Sequence, residues 1–577
     1  MARGHASDCG RERDCFSKCG RMWRSVWLPL LAGIAPVLVG AVPARADVGT
    51  VPVAGDVDIR PRLLADTVPG VGSGISSAMS ATVVNGVMYF RATDATSGGM
   101  MASLWRTNGR PGGTRLLDAG RGTSMVTAPT LIPQTRKLLY WSGSDLRSLD
   151  LDTQQAITLR TGYEPSFAGL PMVNGSALFV SGGAVWGTDG TPQGTRQLIP
   201  GNWNVIAIAS TGSFACALIM GNGITEVWCT DGTAGRTWPL TTLPGPSMWL
   251  ERSNPLRVVG SNILFAHTTG PVSRMWTTDG TTRGTRFVAA VPALMQGVMT
   301  CVDGRSVLAS VNTMVAGQRG TELWRVSPDA AECGPLLAFD RLTSFLPMGG
   351  SNGVSVFVES AGYGSSGERT LWLTDGSPER TFALPGFPGN VEASSRNSNP
   401  FVIVGDRLFL LAATAQTGTE PWMIDLRTGA TALLRDISPG GWGSYVSEYF
   451  VLDHGRGVGF MTPERTLGVQ TVFVADGVPE HTRRISRIAN GLPFGFTSFG
   501  SRIVFATSMA GTGTEPYVLD LCPADHDNSG TVEMNDLFAF IADWLARDAN
   551  ADFDASGGVP GVTDMTAFLG GWMSGCP

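Results

Sequence analysis

Lysine is almost missing from this sequence. Lys18 and Lys137 are the only two, and every other basic side chain is arginine. A phosphate-cradling G-x-x-x-x-G-K-[ST] loop is therefore excluded. So is a basic footprint for nucleic acid, since 42 Lys and Arg against 48 Asp and Glu leave a net charge of −6. Charged residues make up 16% of the chain, against roughly 25% in ordinary domains, which argues against a coiled coil or a charged disordered chain. Histidine is scarce too. His5, His267, His454, His481 and His526 are scattered and form no H-E-x-x-H pair. No C-x-x-C occurs, so thioredoxin-like and zinc-ribbon readings fail.

Glycine, proline and tryptophan are abundant instead: Gly 75, Pro 35 and Trp 16 in 577 residues, with 43% hydrophobic. Turns are dense and there is enough apolar side chain for a packed core. Such a length suggests three to four domains unless a repeat makes one large unit.

The first 46 residues have the three parts of an export signal. Arg3, Arg11, Arg13, Lys18, Arg21 and Arg24 precede an apolar run from Val26 to Val42 that Pro29 and Pro36 interrupt. Ala44-Arg45-Ala46 then gives a cleavage site, with Asp47 as the mature start. A run this short and broken is marginal for spanning a bilayer, so a secreted or cell-surface protein is expected. The cysteines agree. Six follow the leader, an even number that suits disulfides outside the cytoplasm. Nearest-neighbour pairing predicts Cys216–Cys229, Cys301–Cys333 and Cys522–Cys576.

The body repeats itself. Leu104-Trp105-Arg106-Thr107-Asn108-Gly109 returns as Val185-Trp186-Gly187-Thr188-Asp189-Gly190-Thr191, and again around Trp228, Trp276 and Trp372. Weaker copies centre on Leu146, Trp324, Trp422, Phe473 and Tyr517. About ten copies fill residues 81–521. Each opens on an apolar strand such as Ile263-Leu264-Phe265-Ala266, continues into the Trp strand, turns at Asp-Gly and leaves on a Thr-Arg strand. Asp-Gly predicts a tight hairpin turn. Alternation in Leu-Trp-x-Thr puts Trp on one face, where it can bury against a neighbouring unit. Four short strands in 40–50 residues cannot bury their own apolar face, so copies must stack, and a β-propeller of roughly 8–10 blades is predicted. The last copy lacks its Thr-Arg strand, and an orphan of it stands at Arg60 to Asp66. One blade built from both chain ends would close the ring and hide its edges.

These phrases resemble the ELWxxDGT repeat of large secreted bacterial proteins, over roughly three quarters of the chain. Glu precedes the apolar-Trp pair at Glu226, Glu322 and Glu420, but not in several other copies. The resemblance implies a propeller-like binding body and assigns no catalytic residue to the motif. Asp189, Asp231, Asp279 and Asp375 read as turn formers, and the repeat tryptophans as packing between blades. Trp203, Trp249 and Trp442, in connecting segments, are the better candidates for ligand contact. Gly349 to Gly353 fits G-x-S-x-G, but a strand follows where a nucleophile elbow needs a helix.

Composition shifts at Cys522. From Asp525 to Asp536 the spacing is that of a calcium loop: Asp525, Asp527, Ser529, Glu533 and Asp536 supply side-chain oxygens, Thr531 a carbonyl, and Gly530 the sharp bend. A helix is predicted over 537–545. The pattern returns 27–28 residues later with Asp552, Asp554, Ser556 and Asp564, one residue longer. Two loop–helix units bracketed by cysteines resemble a dockerin type I module. The resemblance implies calcium as cofactor and a cohesin-like or other cell-surface protein as partner. The expected organisation is a signal peptide over 1–46, the propeller over 47–521 and the module over 522–577. The expected function is a secreted, non-enzymatic binding protein, with a glycan as candidate ligand of the body. The alternatives are a polysaccharide-degrading component and a structural cell-surface protein.

Overall fold

The computed structural model describes residues 56–575 except for short connecting segments, the longest being 244–255 and 392–400. The leader, Trp203, Trp249, Trp442, Asp554, Ser556 and Cys576 lie outside the described residues.

Ten antiparallel sheets follow one another along the chain. Nine are four-stranded. The eighth gains a fifth strand because both Asn390–Val391 and Phe401–Val404 pair with Arg407–Thr414. The first sheet runs from Ala81–Val84 to Arg115–Asp118, and the tenth contains Phe494–Phe499, Arg502–Ser508 and Thr514–Asp520. First strands of successive sheets touch each other, for example Asn204–Ser210 with Leu256–Val259. They face the axis, and the sheets radiate from it as propeller blades.

Apolar periodicity explains the stacking. Alternate residues of each middle strand point to opposite faces, and each face meets a neighbour. One buried cluster therefore lies between each consecutive pair of sheets, as where Leu178 and Val180 of the third meet Ala217 and Ile219 of the fourth. Trp186, Trp228, Trp276, Trp324, Trp372 and Trp422 all pack into the cluster shared with the preceding sheet. Aromatic partners sit across the strand pair: Phe265 stacks on Trp276 and Phe357 on Trp372.

The ring closes. Met88, Phe90 and Ala92 of the first sheet share a cluster with Phe499, Val504, Ala506 and Val518 of the tenth. Arg62–Leu63 supplies the tenth sheet's outer strand, pairing Arg62 with Val518 and Leu63 with Tyr517. The orphan strand is thus shorter than its sequence predicts. The residues before it form a strap on the ninth sheet instead, with Val57 and Ile59 N–H groups donating to the carbonyls of Arg484 and Ile485 over 2.9 and 2.8 Å. Asp56 anchors the strap on Arg435 through two hydrogen bonds of 2.7 and 2.9 Å.

The Asp-Gly turn is longer than a two-residue hairpin. Residues 189–195 separate the third and fourth strands of the third sheet, and Gly190 alone has positive φ, at 86°. Thr188 Oγ1 accepts from Gly190 N–H over 3.0 Å and meets Thr195 Oγ1 at 2.7 Å. Asp189 Oδ1 accepts the amide and hydroxyl of Thr191 at 2.8 and 2.6 Å. The same bonds recur from Thr230, Thr278 and Thr374. The motif aspartates are turn formers, as read from the sequence. Likewise Ser351 ends one strand and Val354 begins the next, so the G-x-S-x-G match is a β-hairpin.

Cys216 and Cys229 face each other on neighbouring strands of the fourth sheet with Cα atoms 4.3 Å apart, and are joined. Cys522 is also disulfide-bonded. Cys301 and Cys333 occupy the first and last strands of the sixth sheet, and the side chain of Cys301 lies outside the described residues.

Candidate metal centre in the C-terminal module

After the tenth sheet the chain forms two helices, α1 (Met534–Leu545) and α2 (Val562–Ser574). Both start longer than the apolar pattern alone suggests, because a carboxylate caps each from its third position. Asp536 Oδ2 accepts from Glu533 N–H and Asp564 Oδ2 from Gly561 N–H, both over 2.8 Å. Negative charge in a first turn also suits the helix dipole.

The loop ahead of α1 brings three of the predicted ligands together. Carboxylate oxygens of Asp525, Asp527 and Asp536 lie within 4.8 Å of one another. Asp525 and Asp536 are buried, Asp527 exposed. Burial raises the pKa of both Asp525 and Asp536 above the ordinary carboxylate value, since a dry environment disfavours the charged form. Backbone amides hold the group in place: Ser529 N–H donates to Asp525 and Asp527, and Gly530 N–H to Asp525, at 2.9–3.0 Å. Ser529 Oγ donates to the carbonyl of Thr531 at 3.2 Å. Glu533 stands apart: it is the N-cap residue of α1, and its Oε1 accepts from Asn535 at 2.9 Å. In the second loop Asp564 takes the place of Asp536 and is buried, while Asp554 and Ser556 lie outside the described residues.

The loop also packs on the propeller, which no sequence pattern announced. Arg502, 1% exposed, donates to the carbonyls of Asp525 and His526 at 3.1 and 3.3 Å. Arg110 of the first sheet's turn donates to Asn550 O at 3.2 Å and to His526 O at 3.5 Å. Its burial lowers the guanidinium pKa to about 9, and Arg502 beside it adds to the shift. Asn528 Oδ1 accepts from Ser501 N–H at 3.0 Å, and its amide donates to Phe499 O at 3.1 Å. His526 stands edge-on against both Phe540 and Phe568. Burial, then Arg110 and Arg502, push its pKa down to about 2. The neutral ring therefore donates from Nε2 to Asp543 at 2.9 Å.

No family model matches the sequence, and no curated protein matches it. Among solved structures the tricorn protease aligns over 78% of this chain and 49% of its own, at 12% identity and a TM-score of 0.24. A puromycin hydrolase aligns over 72% of this chain and 62% of its own, at 17% identity and 0.31. An oligogalacturonate lyase in complex with manganese aligns over 80% of this chain and 98% of its own, at 10% identity and 0.30. The chain thus spans about half to three fifths of the length of those two peptidases. At this level the likeness assigns no activity here.

It does correct one expectation. The propeller body and the lack of a catalytic motif led to a non-enzymatic binding protein. The solved structures that align with this chain include peptidases and a lyase. The reading as a non-enzyme is withdrawn. Among the other sequence-based assignments, the motif glutamates divide in a way the repeat did not foretell. Glu226 and Glu322 accept from the indoles of Trp228 and Trp324 at 2.8 and 2.7 Å. Glu420 and Glu515 turn instead to the amides of connecting segments, those of Ile437 and Ser438 and those of Thr67 and Gly74. A proline after the glutamate, Pro421 and Pro516, is the sequence mark these two share.

Proposed function

We propose that this chain is an exported propeller of the ELWxxDGT-repeat kind whose C-terminal module, dockerin-like, is organised by calcium. The observation that carries the reading is the convergence of Asp525, Asp527 and Asp536. The donors are all oxygen, and two of the three carboxylates are buried. Such a set fits a hard divalent ion, and a flexible ring of carboxylates, a hydroxyl and a carbonyl suits Ca²⁺ better than Mg²⁺. Asp525, Asp527 and Asp536 would hold the ion, with Ser529 and the carbonyl of Thr531 near enough in sequence to complete the ring. Asp552, Asp554, Ser556 and Asp564 would form the second site. The ion supplies positive charge that offsets the mutual repulsion of the loop carboxylates; its role is structural.

A partner protein, cohesin-like or on a cell surface, is part of this reading. Its support is the apolar side chains that the helices leave uncovered: Met534, Phe538 and Leu545 on α1, Val562 and Met573 on α2. Exposed apolar stripes of this kind mark protein contact. The reading concerns the module and leaves the body among the propellers that enzymes also carry.

Titration calorimetry of the full chain with CaCl₂ tests the ion. Saturable heat that Asp525→Ala diminishes is expected. No heat at millimolar Ca²⁺ would overturn the assignment.

A further inference from the structure

The junction between the first and tenth sheets is where the two ends of the ring meet, and residues 64–80 link Arg62–Leu63 of the tenth sheet to Ala81–Val84 of the first. It is held by the shared apolar cluster around Phe90 and Val504 and by the two-residue strand Arg62–Leu63. On one face of the propeller the turn of the tenth sheet, Gly500 to Arg502, lies under the turn of the first, Asn108 to Arg110. Arg502 donates to Asn108 O at 2.9 Å, and Gly109 sits so close over the Arg502 side chain that any Cβ there would collide with it.

That face brings two guanidinium groups together from opposite sides of the junction. Like charges repel, and buried donors need acceptors. Arg502 meets Asp520 of its own sheet at 3.4 Å, and the acceptors that the two guanidiniums share come from the module. The carbonyl of His526 receives Arg502 from the tenth sheet and Arg110 from the first. Asp525 O takes a second bond from Arg502, and Asn550 O one from Arg110. Asn528 adds its bonds to Phe499 and Ser501 on the tenth sheet. Arg456, from the connection within the ninth sheet, reaches Gly530 O at 3.0 Å. Drawing the first and tenth sheets apart would therefore strand buried guanidiniums.

We propose that residues 522–575 are a latch: docked across the junction of the first and tenth sheets, the module holds the ring shut, and undocking it loosens that junction alone. The proposal concerns the docked interface and stands without an ion in the loop.

Amide hydrogen exchange tests it on three proteins. One ends at Leu521. The second is Asn528→Gly, which removes the side-chain bonds to the tenth sheet while the left-handed φ of 62° suits glycine. The third is Gly112→Trp, which wedges the module from the first sheet's side. A Cβ at Gly112 already comes within 2.7 Å of Asp548 Oδ1 and 3.0 Å of Asn550 Oδ1. Exchange at Leu64 and Ile75, whose amides bond Pro516 and Thr514 of the tenth sheet, should quicken at least about tenfold in all three. Leu218 and Val227 in the fourth sheet should keep their rates. Should the shortened chain fail to fold, the two point variants decide. Unchanged rates at Leu64 and Ile75, or an equal rise in the fourth sheet, would overturn the latch.

Discussion

The rings of Phe540 and Phe568 stack with centroids 4.0 Å apart and planes 1° from parallel. The two residues are 28 apart, and so are the other equivalent pairs of the helices. Trp544 donates its indole N–H to the carbonyl of Gly561, the N-cap residue of α2, at 2.8 Å. Trp572 donates to the carbonyl of Glu533, the N-cap residue of α1, at 2.9 Å. Each helix therefore ties down the start of the other around a local two-fold axis. Trp544→Phe and Trp572→Phe should each lose one such bond, about 1 kcal/mol. Exchange protection of the α1 and α2 amides measures it. Markedly unequal losses would show that the two halves are not equivalent.

The strap is expected to carry a large share of ring stability. Removing residues 56–66 takes away the outer strand of the tenth sheet and the bonds of Val57 and Ile59 to the ninth. Leu64, 2% exposed, leaves the core with them; its burial alone is worth roughly 2 kcal/mol. A loss of about 3 kcal/mol or more should appear as a lower thermal midpoint. An unchanged midpoint would contradict closure by the N-terminal strand.

Hydroxyls in the repeat turns make a sharper case. Thr188 is fully buried and serves both Gly190 N–H and the Thr195 hydroxyl. Thr188→Val keeps the shape and strands the buried Gly190 N–H, while the Thr195 hydroxyl keeps its bond to Thr191 O; the cost is about 1–3 kcal/mol. Thr230→Val and Thr374→Val should cost the same, since their turns repeat the bonds. Denaturant midpoints of the three variants should fall together; three unrelated values would mean that the turns are not equivalent.

Much of this architecture was legible because repetition amplifies weak signals. A single Trp-x-Thr-Asp-Gly phrase says little, but its return every 40–51 residues fixes where strands turn and which face carries Trp. Closure was legible from the orphan strand, because a missing fourth strand at one end needs a donor at the other. Contacts made once were not legible. Arg110 and Arg502 follow ordinary turns, and only the folded ring puts them beside His526. The strap from Asp56 is likewise a long-range pairing without periodicity. In the calcium-like loop, spacing placed Asp525, Asp527 and Asp536 together, whereas Glu533 went to the helix start because an N-cap position competes for the same side chain.

Glu420 should make stability fall as pH rises through neutrality. Its carboxyl is fully buried and accepts the amides of Ile437 and Ser438 at 3.1 and 3.2 Å. Burial outweighs those bonds and lifts its pKa to about 7 from the ordinary 4.5. The sign follows from proton linkage. Below the ordinary value, folded and unfolded chains both carry the proton, and the contribution is whole. Between there and about 7 the unfolded chain releases the proton while the folded one keeps it, so each step up in pH favours unfolding. Above about 7 both forms are charged and the contribution has gone. Glu420→Gln keeps the shape and cannot titrate, so its melting midpoint should lose this downward slope, although its amide can accept only one of the two backbone N–H groups. Melts at half-unit steps from pH 4.5 to 8 in both proteins measure it. Parallel curves would mean that Glu420 keeps an ordinary carboxylate pKa in the folded ring.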